Sequence, residues 1–277
     1  MITRRTLTAT FLAAPTLGAA PEDALARIQR TGRLRIGAVP AQPPYSWKDI
    51  DTGAWHGFLP DIAADLGADL GADLGAELGA TTVPVESTWG SGVVDLQAGK
   101  VDIFFGLAPT PQRAEVVDFT HPLFQNAFAL IARAGFDPRT WADLDDPAVR
   151  IAIELGTSYD QAIPQLCPRA TVTRLRTNND ALLALQAGRA DCQIIVVVFA
   201  LTTLTRNAAL GHLVVPTPVF GATTNAIVAR APGGAWRDRV DAWIDRRRAE
   251  GALRATLLRN LEAVGVPQSA VPPQLLF

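Results

Sequence analysis

The residues best suited to chemistry sit at the end of one apolar run. Val101-Asp102-Ile103-Phe104-Phe105-Gly106-Leu107 passes into Ala108-Pro109-Thr110-Pro111-Gln112-Arg113. The run predicts a buried strand, the Gly/Pro-bearing segment a loop, and Thr110 with Arg113 the start of a helix. A strand ending in such a loop carries polar groups to a cleft, where a two-pronged guanidinium can clamp a carboxylate. A second group, Gln42-Pro43-Pro44-Tyr45-Ser46-Trp47, follows an expected strand, Arg33–Val39; its prolines and aromatics suit a rigid ligand wall. The remaining inventory is thin. The sequence holds no Gly-x-Ser-x-Gly elbow, no His-Glu-x-x-His, no Cys-x-x-Cys, no Gly-x-Gly-x-x-Gly and no phosphate loop, and its three histidines are scattered. No metal, cofactor or nucleophile is expected.

The elements that must position these groups alternate between strand and helix. Thr82–Glu86 predicts a second strand with Trp89 in the turn after it, and Asn126–Ala132 an apolar strand. Arg150–Leu155, Thr171–Leu175 and Cys192–Phe199 predict strands of a second unit, separated by helices starting at Gly156-Thr157-Ser158 and Asn178-Asn179-Asp180. The two units echo each other, Leu96-Gln97-Ala98-Gly99-Lys100-Val101-Asp102 against Leu185-Gln186-Ala187-Gly188-Arg189-Ala190-Asp191. Two α/β units of like order imply two lobes with a cleft between them.

Further features bound the reading. The chain has 277 residues, 48% apolar, with a formal net charge of −2, so it has no basic field for nucleic acid. Arg4-Arg5, the apolar run to Ala14 and small residues to Ala20 describe a secretory leader, and Thr3-Arg4-Arg5-Thr6-Leu7 resembles a twin-arginine signal. Residues 66–80 repeat Leu-Gly-Ala-Asp/Glu, predicting a surface helix with a leucine stripe and acids facing water. The cluster Arg246-Arg247-Arg248 reads as a solvated face. Export would permit a bridge between Cys167 and Cys192, although Cys192 also suits a buried strand as a free thiol.

Six phrases resemble the family-3 extracellular solute-binding proteins, the polar amino-acid receptors of ABC importers. They are Gly32-Arg33-Leu34-Arg35-Ile36-Gly37, Gly57-Phe58 with Asp61, Gly99-Lys100-Val101-Asp102, Thr110-x-x-Arg113 with Val117-x-Phe119, Leu155-Gly156-Thr157, and Gly188-Arg189-Ala190-Asp191. The resemblance implies an α/β, two-lobed type II periplasmic-binding fold, each lobe a mostly parallel sheet flanked by helices. It divides the chain into a signal peptide (1–26), lobe 1 (27–128), lobe 2 (129–218), and a return to lobe 1 with C-terminal helices (219–277). It implies a periplasmic receptor, exported by a Sec or twin-arginine signal, that hands a small carboxylate ligand to an inner-membrane ABC permease. Such a receptor does no chemistry and works as a monomer.

By the same resemblance Arg113 pairs with the ligand carboxylate, with Thr110, Ala108, Thr157 and Ser158 beside it. Tyr45 and Trp47 cover the ligand body, and Trp89 adds a wall. Three positions depart from the family pattern. Val196 stands where an acid holds the ligand ammonium, so either Glu154 or Glu86 serves instead or the ligand has no ammonium; Gly106 and Ala108 replace hydroxyl residues. These departures point to a carboxylate with an apolar or aromatic body. The alternative activities are a dehydratase of the cyclohexadienyl type on the same fold, for which Glu154, Glu86 or His121 would be the general acid, or a ligand sensor.

Overall fold

A computed structural model describes residues 23–73, 79–231 and 234–277. The expected leader as far as residue 22, and repeat residues 74–78, fall outside them. The chain opens with α1 (Ala24–Thr31) and β1 (Arg33–Ala38), followed by a small antiparallel sheet of β2 (Ala41–Gln42), β3 (Ser46–Lys48) and β4 (Trp55–His56). Next come α2 (Phe58–Asp73), β5 (Thr81–Glu86), α3 (Gly92–Gln97), β6 (Ile103–Leu107), the short α4 (Pro111–Ala114), β7 (Val117–Phe119) and β8 (Phe124–Ala132). The second unit holds β9 (Arg150–Glu154), α5 (Ser158–Leu166), β10 (Thr171–Leu175), α6 (Asn178–Gln186), β11 (Cys192–Val196), α7 (Val197–Arg206) and β12 (His212–Val214). The chain closes with β13 (Gly221–Ala229), α8 (Ala235–Ala249) and α9 (Ala252–Ala263).

Strand order is β10-β9-β11-β8-β13-β6-β1-β5. The β1–β5 and β1–β6 pairs are parallel, as are β9–β10 and β9–β11. Both long strands divide their pairing. Residues 124–127 of β8 pair with β13, and residues 128–132 pair with β11. Residues 221–224 of β13 pair with β8, whereas 225–229 turn to β6 and β7 across a register shift at Asn225/Ala226. The two halves of the molecule are therefore joined by two continuous strands, and the space between them lies where those strands change partners. Among the described residues no helix is long and apolar enough to cross a membrane.

The echoed phrases have a common structural use. Asp102 accepts from the backbone N–H of Arg35 (2.7 Å) and from its guanidinium (2.7 and 3.2 Å), with Arg27 on the same carboxylate. In the other half, Asp191 accepts from the Arg150 N–H (2.9 Å) and guanidinium (2.8 and 3.1 Å), with Arg133 alongside. Each aspartate thus ties the entry of its own strand to the neighbouring central strand. These hydrogen bonds, led by that to Arg150, hold the Asp191 carboxyl well below the usual carboxylate range. Removing one partner of a buried charge pair is costly, and the 43% exposure of the Arg150 side chain moderates the loss. Asp191→Asn is expected to destabilise the fold by about 2 kcal/mol, read as a fall in Tm of several degrees; an unchanged Tm would show the tie to be ornamental.

Two expectations require correction. The acids on this helix do not face water alone: Asp65 and Asp69, on the four-residue spacing of the repeat, pair with Arg247 and Arg246, and Asp61, ahead of the repeat, pairs with Arg259. The four-residue period that buries Leu66 and Leu70 also sets Asp61, Asp65 and Asp69 along one line against α8 and α9. The Arg cluster is accordingly a partner of α2 and not merely a solvated face. Second, the apolar run Cys192–Phe199 is not one strand, because the strand ends at Val196 and α7 begins at Val197. A fully buried apolar run carries no periodicity to separate the two states. Of the two states left open for Cys167 and Cys192, the structure has the free thiols: both are buried in one hydrophobic cluster, and burial raises the pKa of each.

Candidate functional site

Arg113 is delivered by an economical local device. Thr110 precedes Pro111 at the start of α4, and its hydroxyl accepts from the Arg113 N–H (3.3 Å), fixing the turn. Only 7% of Arg113 is exposed. Its Nη1 donates to the Ala108 carbonyl (2.9 Å), and its Nη2 crosses to the Gly156 carbonyl (2.7 Å) in the other half of the molecule. Among the described residues no carboxylate pairs with it. Asp118, the nearby acid in sequence, is taken by Arg230 at 3.0 Å. Burial lowers the Arg113 pKa to about 10. Two donors of five are used, so the fork retains capacity for an anion.

The guanidinium faces a cavity of about 50 Å³ between the halves. Its walls include Tyr45, Trp89, Ala108, Thr157, Ser158 and Val196, together with Gly106, Asn126, Tyr159 and Phe199. Gly106 is required where it stands, since φ is +95° and a Cβ would lie 3.0 Å from the Trp89 ring. Tyr45 is 2% exposed; its hydroxyl accepts from Asn126 Nδ2 (3.1 Å), and burial raises its pKa. Opposite Arg113, Gly156 takes φ +78°, and Thr157 caps α5 by accepting from the Asp160 N–H (3.2 Å). Thr157 Oγ1 also donates to the Glu154 carbonyl (2.8 Å), so that hydroxyl is already engaged. The first-turn N–H groups of Ser158 and Tyr159 have no intrahelical acceptor and carry the positive end of the helix.

Several candidates lie elsewhere. Thr110 shapes the loop but is not a wall of the cavity. Trp47 stacks on His56 (ring centroids 5.7 Å apart, 28° between planes), outside the cavity. Glu86 is exposed at the sheet edge, 3.5 Å from Lys48. His121 is held at the surface by Asp241 and Asp245 of α8. Glu154 is 3% exposed and is not a wall of the cavity; its Oε2 is buried without a hydrogen-bond partner. It shares a strand face with Ala152, which packs on Ala181 and Ala184, and it accepts a hydrogen bond from the Asn178 N–H. Desolvation by burial, with a smaller contribution from Asp180, raises its pKa to about 8. Among the described residues no acid lines the cavity, and Val196 presents a methyl-bearing wall at the position noted above. Phe199, Asn126 and Tyr159 went unmarked in the sequence. Phe199 was hidden because its segment reads as a strand.

A family model described as bacterial extracellular solute-binding proteins, family 3, matches residues 34–261. The chain belongs to that family. A curated relative of this solute-binding protein, the ABC transporter arginine-binding protein 1 of Escherichia coli (strain K12), is 30% identical over 89 residues. That match covers 32% of this chain, and the chain spans only about a third (35%) of that relative's length. Among solved structures, the ancestral amino acid-binding protein AncCDT-1, described as a precursor of cyclohexadienyl dehydratase, superposes with a TM-score of 0.72. It is 25% identical, with 86% of this chain and 98% of that one covered. The cysteine-binding protein of Campylobacter jejuni gives a TM-score of 0.76 at 21% identity, covering 92% and 99% of the two chains, and speaks for the fold. The fold is the two-lobed α/β architecture of type II periplasmic binding proteins.

Proposed function

We propose that this solute-binding protein captures a compact monocarboxylate lacking an α-ammonium and presents it to an ABC permease in the inner membrane, after export to the periplasm. The observation that carries the reading is a buried guanidinium with no carboxylate partner, set at a cavity that no acid lines. An uncompensated buried charge costs several kcal/mol. A ligand carboxylate would remove that cost, and an ammonium would add a second one. The apolar wall of Trp89, Leu107, Val196 and Phe199 favours a hydrocarbon body. The domain limits fit a hinge at β8 and β13, with Arg113 from the first lobe meeting Gly156 and the α5 N-terminus from the second. Closure of the lobes would then enclose the ligand.

The similarity to a dehydratase precursor raises an enzymatic alternative. Elimination needs a proton donor at the reacting atoms. Glu154, Glu86 and His121 all lie off the cavity wall, which favours binding without turnover.

A thermal-shift series tests the reading. Propionate, butyrate and their 2-oxo analogues are expected to raise Tm by mass action, with the matching 2-amino acids giving the smaller shifts and no product seen by chromatography. Larger shifts with the amino acids would overturn the ammonium-free ligand. Consumption of a cyclohexadienyl acid would overturn the receptor.

A further inference from the structure

Phe199 stands at an unusual place for an α7 residue. It is 7% exposed, and its ring crosses between the lobes to lie 4.6 Å from the Tyr45 ring centroid and 6.2 Å from that of Trp89. Packing on two large rings fixes its rotamer. On one side it walls the cavity at Arg113. On the other it walls a second interlobe cavity of about 200 Å³. Phe199 is the residue that the two linings share.

The second cavity differs in chemistry. Gln42, Asn178, Gln193 and Arg206 line it, giving amides and a cation, whereas the first cavity joins its arginine, one amide and several hydroxyls to the rings of Tyr45, Trp89 and Phe199. Asn178 Nδ2 donates across to Gln42 Oε1 (3.1 Å), so both lobes contribute to this compartment as they do to the first.

We infer that Phe199 is the specificity-determining partition of the binding cleft. Its ring sets the length of the ligand that Arg113 can hold, and it separates that ligand from a polar compartment suited to the far carboxylate or amide of a longer acid. The inference rests on the reading of Arg113 as a carboxylate anchor. It adds which residue limits the ligand and what a cleft without that residue would accept. A small side chain at position 199 would merge a volume of about 50 Å³ with an amide-bearing one of about 200 Å³ into a single elongated site. One end would hold Arg113 and the other Arg206.

The test is calorimetric titration of the full chain as wild type, Phe199→Leu and Phe199→Ala with propionate, butyrate, glutarate and adipate. Wild type is expected to bind the two monoacids at least tenfold more tightly than the two diacids. Phe199→Ala is expected to gain tenfold or more for adipate while losing propionate. Arg206→Gln in the Phe199→Ala background is expected to erase the adipate gain. Phe199→Leu keeps an apolar side chain in the core, and a threefold move in the same direction supports the inference should the alanine variant not fold. An identical length profile in all folded variants overturns the partition and leaves the carboxylate reading standing. Failure of every acid to bind wild type overturns both.

Discussion

Arg113→Met is expected to abolish ligand binding while changing the stability of the empty protein little. Breaking a buried, hydrogen-bonded charge pair costs about 3–5 kcal/mol, so carboxylate affinity should fall by at least about a hundredfold. In wild type, ligand at about a thousand times Kd adds about 4 kcal/mol of stability. In a chain of this size that raises Tm by about ten degrees, and the variant should show almost none of it. Two opposed effects nearly balance in the empty protein. A guanidinium pKa lowered by burial to about 10 corresponds to about 3 kcal/mol against the cation. Methionine fills the same channel without a charge. The Ala108 and Gly156 carbonyls lose a donor each, at about 1–3 kcal/mol apiece, so the loss is of the same size as the gain. Titration calorimetry with butyrate and a melt without ligand decide the matter; binding retained within a few-fold would remove Arg113 from its role.

Glu154→Gln is expected to stabilise the protein increasingly as pH rises from about 5 to 8. The folded carboxyl titrates at about 8, against an ordinary value of 4.5, because burial desolvates its ionised form. Below the ordinary value both folded and unfolded chains hold the proton, and the group costs nothing. Through the interval the unfolded chain releases its proton while the folded chain keeps it, so stability falls as pH rises, at about 1.4 kcal/mol per unit. Above the folded value both forms are ionised, and the loss is complete. Glutamine is neutral throughout and still accepts from the Asn178 N–H. Denaturant melts of both proteins at several pH values should therefore diverge through this window and run parallel above it. Parallel curves across the whole range would show that Glu154 is ionised in the fold. The outcome also bears on chemistry, since an acid facing α6 and titrating with the fold is a structural group, whatever its pKa.

Local pattern and tertiary arrangement contributed different parts of this molecule. The sequence by itself determined the alternating strands and helices, because apolar runs, caps and Gly/Pro breaks act over a few residues. It also determined the arginine-bearing loop after β6, since Thr110 and Pro111 set that turn through contacts no more than three residues away. The echoed phrases around Asp102 and Asp191 were visible as a repeat, although their shared use in tying strands needed the sheet to bring Arg35 and Arg150 to them. The C-terminal faces of α8 and α9 were legible, with Trp236, Val240, Trp243, Ile244, Leu253 and Leu257 all buried.

Only the tertiary structure decided which polar residues meet. Trp47, Glu86, His121 and Glu154 have the right chemistry for a cleft, yet each is spent elsewhere: on a ring, a lysine, two aspartates and a helix start. Side-chain direction in a strand flips with every residue, and the face that becomes the cleft is chosen by packing between distant elements. The same reason hid Phe199. A buried apolar segment reads alike as strand or helix, and only its packing beneath Tyr45 and Trp89 turns it into a helix that places an aromatic ring across the cleft.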